Sequence, residues 1–590
     1  MLTLLKSQFV KLPRSLSPMR VLLLHPEDDP ESGPWIRKQW ERVVDLGVAG
    51  EQTHARWGDM FHSPVEQIPK FEIRDFSGVR EALAAGLGRV VDEHGLDWWE
   101  LISIRFHEQI ALILRLEKLV AQLHSNDELF VTRPGLYSQI LSLLSGRNVQ
   151  CFRERGSHFG RTRRVFEAAR KFSFEQLLQI LGDKYDAGYQ IRRLTARQQA
   201  RFDSSVVLMP VAQANAARTA IAYAAMVPDR QFLLVTTRQS GCICAPPENV
   251  VSAGLASYAT ANSSVRERDH LLARWQQVET SLGRNREISA LKQLGVFASV
   301  TKMLRDGLAI RDAWLRVFER EPVSAVFCND DTNPYTHMPL LLAQQRRLPT
   351  IACHHGALDG GQLVKRSHAD IVLAKGRMEE DYLVNTCRLP EEKVEVGAPS
   401  LPPKRKTDRL SEKSSIVFFS EPYALDGGRC REFYRELLPP LADLALGMNR
   451  ELVVKLHPME SVWERRKFVN AALSCRPREN VRIVEGLLSE ELLDRASFAI
   501  TVQSTAAVDC TIRGIPVFVC AWLDYSCYGY LEQFIRFRAG MPLRSPAEIA
   551  SIPSLLANFS APDPDDLLQT ISSEKLAQLL TEPSKMAVAV

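Results

Sequence analysis

The runs Glu451-Leu-Val-Val-Lys-Leu-His-Pro458 and Phe498-Ala-Ile-Thr-Val-Gln-Ser-Thr-Ala-Ala-Val-Asp-Cys-Thr-Ile-Arg-Gly-Ile-Pro-Val-Phe-Val519 set the reading of the whole chain. The first is short and apolar and stops on Lys455, His457 and Pro458, as a buried strand does at its carboxyl end. The second reads as strand, Ser504-Thr505 turn, short helix, Gly514-Ile515-Pro516 turn and strand again. Open parallel sheets bind ligands just beyond the carboxyl ends of their strands. Two such ends offering imidazole and hydroxyl groups to one crevice therefore describe a nucleotide-binding α/β domain.

Working upstream, Ser415-Ile-Val-Phe-Phe-Ser-Glu-Pro-Tyr423 predicts the first strand of that domain, presenting Ser420 and Glu421 at its end. The proline-rich basic stretch at 401–414 has no apolar period and suits an interdomain linker. Before it, Val323-Ser-Ala-Val-Phe-Cys-Asn-Asp-Asp-Thr-Asn-Pro predicts a strand that runs into a dense polar cluster. Thr332 or Asn333 would cap the next helix, with Pro334 at its first position. Capping leaves Asn329, Asp330 and Asp331 unexplained, so this strand end is a candidate ligand face. Leu348-Pro-Thr-Ile-Ala-Cys-His-His-Gly356 halts a further strand on His354, His355 and Gly356. Two imidazoles beside a glycine, which lets a ligand approach the backbone, suit contact with substrate or phosphate. At the start, Arg20-Val-Leu-Leu-Leu-His-Pro26 is an apolar strand followed by the acidic loop of Asp28 and Asp29.

A chain of 590 residues exceeds the size at which a single core stops growing. Hydrophobic content of 45% and charged content of 24% are ordinary globular values. The 74 basic and 70 acidic residues leave a net charge of +4, which gives no bulk argument for nucleic acid. Scattered cysteines in apolar runs, such as Cys328, Cys353, Cys510 and Cys520, suit reduced buried thiols of a cytoplasmic protein. Cys242-Ile-Cys244 lacks the second pair a zinc site needs, and no other metal-ligand spacing is present. No apolar run reaches membrane-spanning length, and residues 1–18 read as a basic leader without a signal-peptide core. Arginines concentrate in a helical stretch between 153 and 201, where a solvated face is the ordinary explanation.

The ordered series His354-His-Gly, Ala369-Asp-Ile-Val-Leu-Ala-Lys-Gly, Val394-Glu-Val-Gly-Ala-Pro, Lys455-Leu-His-Pro and Gln503-Ser-Thr-Ala-Ala-Val-Asp-Cys-Thr-Ile-Arg-Gly-Ile-Pro resembles a particular enzyme group. It is similar to the bacterial surface and capsule polysaccharide transferases of GT-B architecture. These comprise Kdo-type capsule transferases, polysialyltransferases and CDP-glycerol glycerophosphotransferases. The likeness spans residues 320 to 525, and the first 300 or so share only strand–helix rhythm. It implies an α/β GT-B fold, two Rossmann-like doubly wound domains facing across a cleft. The expected division is a leader at 1–18, an acceptor domain with helical insertions at 19–400, the linker at 401–414, a nucleotide-donor domain at 415–560 and a tail at 561–590.

By matched position, the resemblance places His457, followed by Pro458, on the donor phosphate, with Ser504 and Thr505 holding it from a helix start. Lys455 and Glu421 join them at the nucleotide, while Asp330, His354 and Gly356 line the acceptor side. An acidic-acidic-Gly motif supplies the base in polysialyltransferases, and it has no match here: neither Asp28-Asp29 nor Asp330-Asp331 is followed by glycine. The candidate bases are Asp29, Asp331 and His355. The implied reaction is inverting, metal-independent transfer from a CMP-, CDP- or UDP-linked sugar to a glycan or lipid-linked acceptor. It needs no resident cofactor, and it takes place in the cytoplasm with at most peripheral contact with the inner membrane face. A non-hydrolysing sugar-nucleotide epimerase of the same fold and a non-catalytic scaffold of an envelope-assembly complex are the rival readings.

Overall fold

A computed structural model describes residues 18–70, 90–152, 202–237, 246–259, 265–282, 286–399 and 414–581, apart from positions 203, 294, 357, 359, 364, 366, 477–478 and 527. The expected leader, the arginine-rich stretch, Cys242 with Cys244, and nearly all of the linker fall outside these residues.

Eighteen described strands build three parallel sheets. The first contains β1 (Arg20–Leu24), β2 (Arg42–Asp45), β3 (Val65–Gln67), β4 (Glu128–Val131) and β5 (Gln150–Cys151), in the order β3-β2-β1-β4-β5. The second contains β6 (Val206–Val211), β7 (Gln231–Thr236), β8 (Val250–Gly254), β9 (Val323–Cys328), β10 (Thr350–Cys353), β11 (Ile371–Ala374) and β12 (Val394–Val396), ordered β12-β11-β10-β9-β6-β7-β8. The third contains β13 (Ser415–Phe419), β14 (Glu451–Lys455), β15 (Val481–Val484), β16 (Ala496–Thr501), β17 (Val517–Cys520) and β18 (Met541–Leu543), ordered β15-β14-β13-β16-β17-β18.

Counted within each unit, every sheet runs 3-2-1-4-5, the doubly wound order whose direction reverses between its first and fourth strands. The central strands are apolar throughout, as both faces are covered: β6 and β13 are buried at every residue. The second and third sheets form the expected pair of Rossmann-like domains. The segment 19–400, expected as one unit with helical insertions, holds two sheets, the first of five strands between residues 20 and 151. Strands β2 and β3 escape a hydrophobicity reading because Arg42, Asp45, Glu66 and Gln67 interrupt their apolar pattern.

The tail returns to the second sheet. Ala398 bridges Thr570, a Cβ on Gly397 would collide with Ile571, and Ile571, Leu576 and Leu580 enter the core beside Phe327 and Leu373. Cys328, Cys353, Cys510 and Cys520 are buried free thiols, in line with their apolar surroundings in sequence. Among the described residues, no helix is long and apolar enough to cross a membrane.

Candidate active site

The carboxyl edges of the second and third sheets meet. Beyond β10 the chain turns through His354, His355 and Gly356, with the Gly356 N–H donating to His354 Nδ1 at 3.1 Å. The Lys375 ammonium, just past β11, donates to the carbonyls of His355 (3.1 Å) and Gly356 (2.5 Å), clamping the turn. A Cβ on Gly356 would stand 3.6 Å from Thr505 Cγ2 of the facing domain, so the two loops are in near contact.

On the third sheet, β16 ends in Thr501 and the chain turns through Gln503-Ser504-Thr505 into the helix Ala506–Thr511. The Ser504 hydroxyl accepts from the Ala506 N–H at 3.3 Å, and the Thr505 side chain makes no capping bond. Beyond β14, His457 Nδ1 accepts from the Met459 N–H at 3.2 Å, while the His457 N–H donates to Glu460 Oε2 at 2.9 Å. Those bonds fix the ring orientation and put the imidazole proton on Nε2, free to donate. Burial, then the nearby Lys455 ammonium, lowers the His457 pKa.

Across the gap, His355 is lowered to about 4, first by burial, then by Lys375, with His457 contributing. Both imidazoles are therefore neutral near pH 7. The Asn329 backbone hydrogen-bonds one ring nitrogen of His355, and Nδ1 is buried without a partner. A neutral imidazole with one nitrogen held keeps an unprotonated nitrogen, and such a lone pair is a proton acceptor for a group that packs against it. His354 stacks obliquely on it, ring centroids 4.4 Å apart, and burial holds its pKa well below the ordinary value.

Not every expected residue reaches this cleft. Glu421 is buried under the Gln-Ser-Thr turn, accepting from Thr501 Oγ1 (2.8 Å), the Gln503 N–H (2.9 Å) and Tyr525 OH (2.7 Å). Its carboxyl has no face left for nucleotide and instead holds the turn from below. Lys455 donates to the carbonyls of Leu456 (2.7 Å) and Gly486 (2.6 Å), which directs its ammonium into the loop behind β14. Asp331 pairs with the Lys365 ammonium at 2.6 Å inside the second domain. Burial opposes its ionisation, but Lys365 together with His337 and His368 outweighs burial and holds the carboxyl below the usual range. Asp330 is buried as well, and its backbone carbonyl accepts from Thr336 Oγ1. Asp29 lies on the first domain, ion-paired with Arg431 at 2.6 Å. Pro458 is exposed at the turn beside His457. Asn333 takes the expected cap, accepting from the Tyr335 N–H at 3.0 Å.

Three contributors went unassigned in the sequence. Lys375 ends a strand in front of a glycine, the same signal that marked His355. Asp509 follows Thr505 by one helical turn, and that spacing puts it on the same face. Its side chain is exposed. Glu460 anchors the His-Pro turn and accepts from Ser420 Oγ (2.9 Å) and Arg465 Nε (2.6 Å).

Residues 348–523 match a family model described as "Putative glycosyltransferase (DUF6716)". That span runs from the His-His-Gly strand through the Ser-Thr turn. No curated protein matches the sequence. Solved structures that the chain resembles include the UDP-GlcNAc 2-epimerase of Methanocaldococcus jannaschii in complex with UDP-GlcNAc and UDP, at 10% identity over 64% of this chain and 99% of that one, TM-score 0.41. The calicheamicin glycosyltransferase CalG4 aligns at 12% identity over 65% of this chain and 97% of that one, TM-score 0.35. A glycosyltransferase from Rickettsia africae aligns at 10% identity over 65% and 95%, TM-score 0.34.

Proposed function

We propose that the chain is a nucleotide-sugar-dependent glycosyltransferase with its reaction centre between the second and third sheets. The carrying observation is the near contact of the His355–Gly356 turn with Thr505, 3.6 Å from a Cβ on Gly356; on this reading His355 and His457 face one gap. The family match over residues 348–523 supports the same reading.

In this mechanism the donor phosphates lie against His457, Ser504 and Thr505. His457 Nε2–H and the two hydroxyls donate to the phosphate oxygens as the anomeric carbon–oxygen bond breaks, where preorganised donors act most strongly. The acceptor hydroxyl approaches from the second domain and attacks the anomeric carbon with inversion. Its proton passes to His355 Nδ1, the one candidate base of the three that is neither ion-paired nor on another domain. Asp509, at the rim of the gap, is suited to accept hydrogen bonds from donor hydroxyls. A CMP-, CDP- or UDP-linked sugar and a polymeric or lipid-linked glycan, as in surface polysaccharide synthesis, are the finer assignment.

Thermal shift with CMP, CDP, UMP and UDP tests the donor site, because a ligand that binds only the native state raises its stability with occupancy. At least one nucleotide should raise the melting temperature. His457→Ala and Ser504→Ala should each lower turnover by about 10²–10³-fold while the apo melting temperature stays near that of the unaltered protein. No response to any of the four nucleotides would refute the assignment, and turnover of a UDP-sugar without acceptor would replace it with epimerisation.

A further inference from the structure

The transferase reading leaves unused a cavity of about 430 Å³ between the first and third sheets, away from the His355–His457 gap. Its walls include Glu51 and His54 of the helix Glu51–Phe61, Gln67 at the end of β3, Lys70 beyond it, and Trp522 and Asp524 beyond β17. We propose that this cavity binds a neutral segment of the glycan acceptor, an assignment that rests on the transferase reading.

Position comes first. Thr501 of β16 is in register with Val519 of β17, so Gln503 and Ala521 leave the sheet side by side, about one strand spacing (~5 Å) apart. The cavity therefore extends the row of strand ends that carries Ser504, and one acceptor chain can span both places.

The chemistry of the walls then selects the ligand. Trp522 Nε1 donates to Glu436 Oε2 at 3.2 Å, and the same Glu436 carboxylate accepts from the Thr53 N–H at 3.1 Å. The indole is thereby pinned at its polar edge while it remains partly exposed. A pinned indole offers a platform for the C–H face of a sugar. Both nitrogens of His54 are taken, by Asp45 Oδ2 (3.2 Å) and Gln67 Nε2 (3.2 Å), so that wall is rigid. The Lys70 ammonium is engaged with Asp524, 2.8 Å to Oδ2 and 3.1 Å to the carbonyl. Among the described lining residues the cationic charge of Lys70 is thus neutralised, while Glu51 is an exposed carboxylate with no ion pair. A phosphate or a second nucleotide would meet net negative charge, and an acyl chain would meet a polar wall. A neutral sugar fits: its hydroxyls donate to carboxylates and its C–H face stacks on the indole, in a volume within the ~300–1,000 Å³ of small-molecule sites.

The test is retention of the full chain on a glycan array that carries neutral and anionic oligosaccharides. Retention on one or more neutral glycans is expected. Trp522→Ala and Glu51→Ala should each weaken it by about tenfold, and Trp522→Phe should keep most of it. Glu51 is exposed at a helix start, so its variant gives an answer even where Trp522→Ala fails to fold. Absence of neutral-glycan retention, retention that neither variant weakens, or retention only on anionic glycans would overturn the proposal. A nucleotide thermal shift without glycan retention would fail this cavity alone, and loss of both would also remove the transferase reading beneath it.

Discussion

Leu-His-Pro occurs twice in the chain, and the structure gives both copies the same turn. The Glu27 N–H reaches His25 Nδ1 at 3.2 Å as Met459 reaches His457, and the His25 N–H meets Asp28 Oδ2 at 3.0 Å as His457 meets Glu460. What separates the copies is their surroundings: His25 packs edge-on against Tyr137, centroids 4.9 Å apart, whereas His457 lies near the Lys455 ammonium. Beneath the neighbouring turn, Glu421 gathers three donors. Glu421→Gln turns one acceptor into an N–H₂ facing donors, and should cost about 1–3 kcal/mol in chemical denaturation while weakening nucleotide affinity. A native-like midpoint with unchanged affinity would show that the turn holds itself. His337 makes a second prediction. It is fully buried with neither ring nitrogen hydrogen-bonded, and burial, then Lys365, lowers it to about 3 against the pull of Asp331. Between the ordinary value of 6.5 and that depressed value the unfolded chain binds more protons, so stability falls as pH drops through this window. His355, lowered to about 4, acts in the same direction. Urea midpoints should decline from about pH 6.5 downward, and His337→Gln should flatten the slope by up to about 1.4 kcal/mol per pH unit. An unchanged slope would place the acid sensitivity elsewhere.

At the scale of elements, identical strand order does not produce identical sites. The third sheet's reversal point, between β13 and β16, opens toward the Ser-Thr turn. In the first sheet the same point, between β1 and β4, is filled by its own side chains: Asp28 takes Thr132 Oγ1 and Arg133 Nε. Arg429, just ahead of the helix Cys430–Gly447, closes it from outside. Its fully buried guanidinium donates to Asp45 at 2.5–2.9 Å and to the carbonyls of His25 (2.9 Å), Pro26 (3.1 Å) and Asp28 (3.0 Å), and lies over Trp57. The carboxyl edge of the first sheet is thus fastened to the third-sheet unit through Arg429, as one fold carries different loops. Arg429→Met would leave Asp45 buried without its counter-ion, at a cost of about 3–5 kcal/mol. Adding Asp45→Asn should recover part of that loss. Additive loss in the double variant, read from denaturation curves, would deny the coupling.

For the whole molecule, three carboxyl edges converge, and the stretch from 521 to 530 touches all of them. Asp524 pairs with Lys70 of the first domain, Tyr525 holds Glu421, and Tyr530 OH accepts from the Gly360 N–H at 2.8 Å. Closure then depends on how nearly the His-His-Gly loop and the Ser-Thr turn approach. Gly356→Val should act as a wedge, since even a Cβ there stands 3.1 Å from His354 Nδ1 and 3.6 Å from Thr505. Nucleotide thermal shift should persist while kcat falls by about a hundredfold, the cost of an ångström-scale misplacement. Equal loss of both would place Gly356 in nucleotide binding itself.

The apolar strand cores and their polar terminators, from Leu24-His25 to Thr501-Ser504, are local patterns. The sequence by itself therefore determined the parallel α/β class, the long central strands, and His355, His457, Ser504 and Thr505 as strand-end groups. Burial of charge is not local. Lys455, Glu421 and Asp331 carry the same strand-end signature, yet each finds its partner in a neighbouring strand or loop, and only packing shows the side chain turned away from the gap. The separate first domain escaped notice because β2 and β3 are short and polar. Its attachment rests on Arg429 and Asp45, which lie 384 residues apart. Tertiary structure alone brings them together, because the desolvated pair sits where three backbone carbonyls and the Trp57 ring complete the guanidinium's contacts.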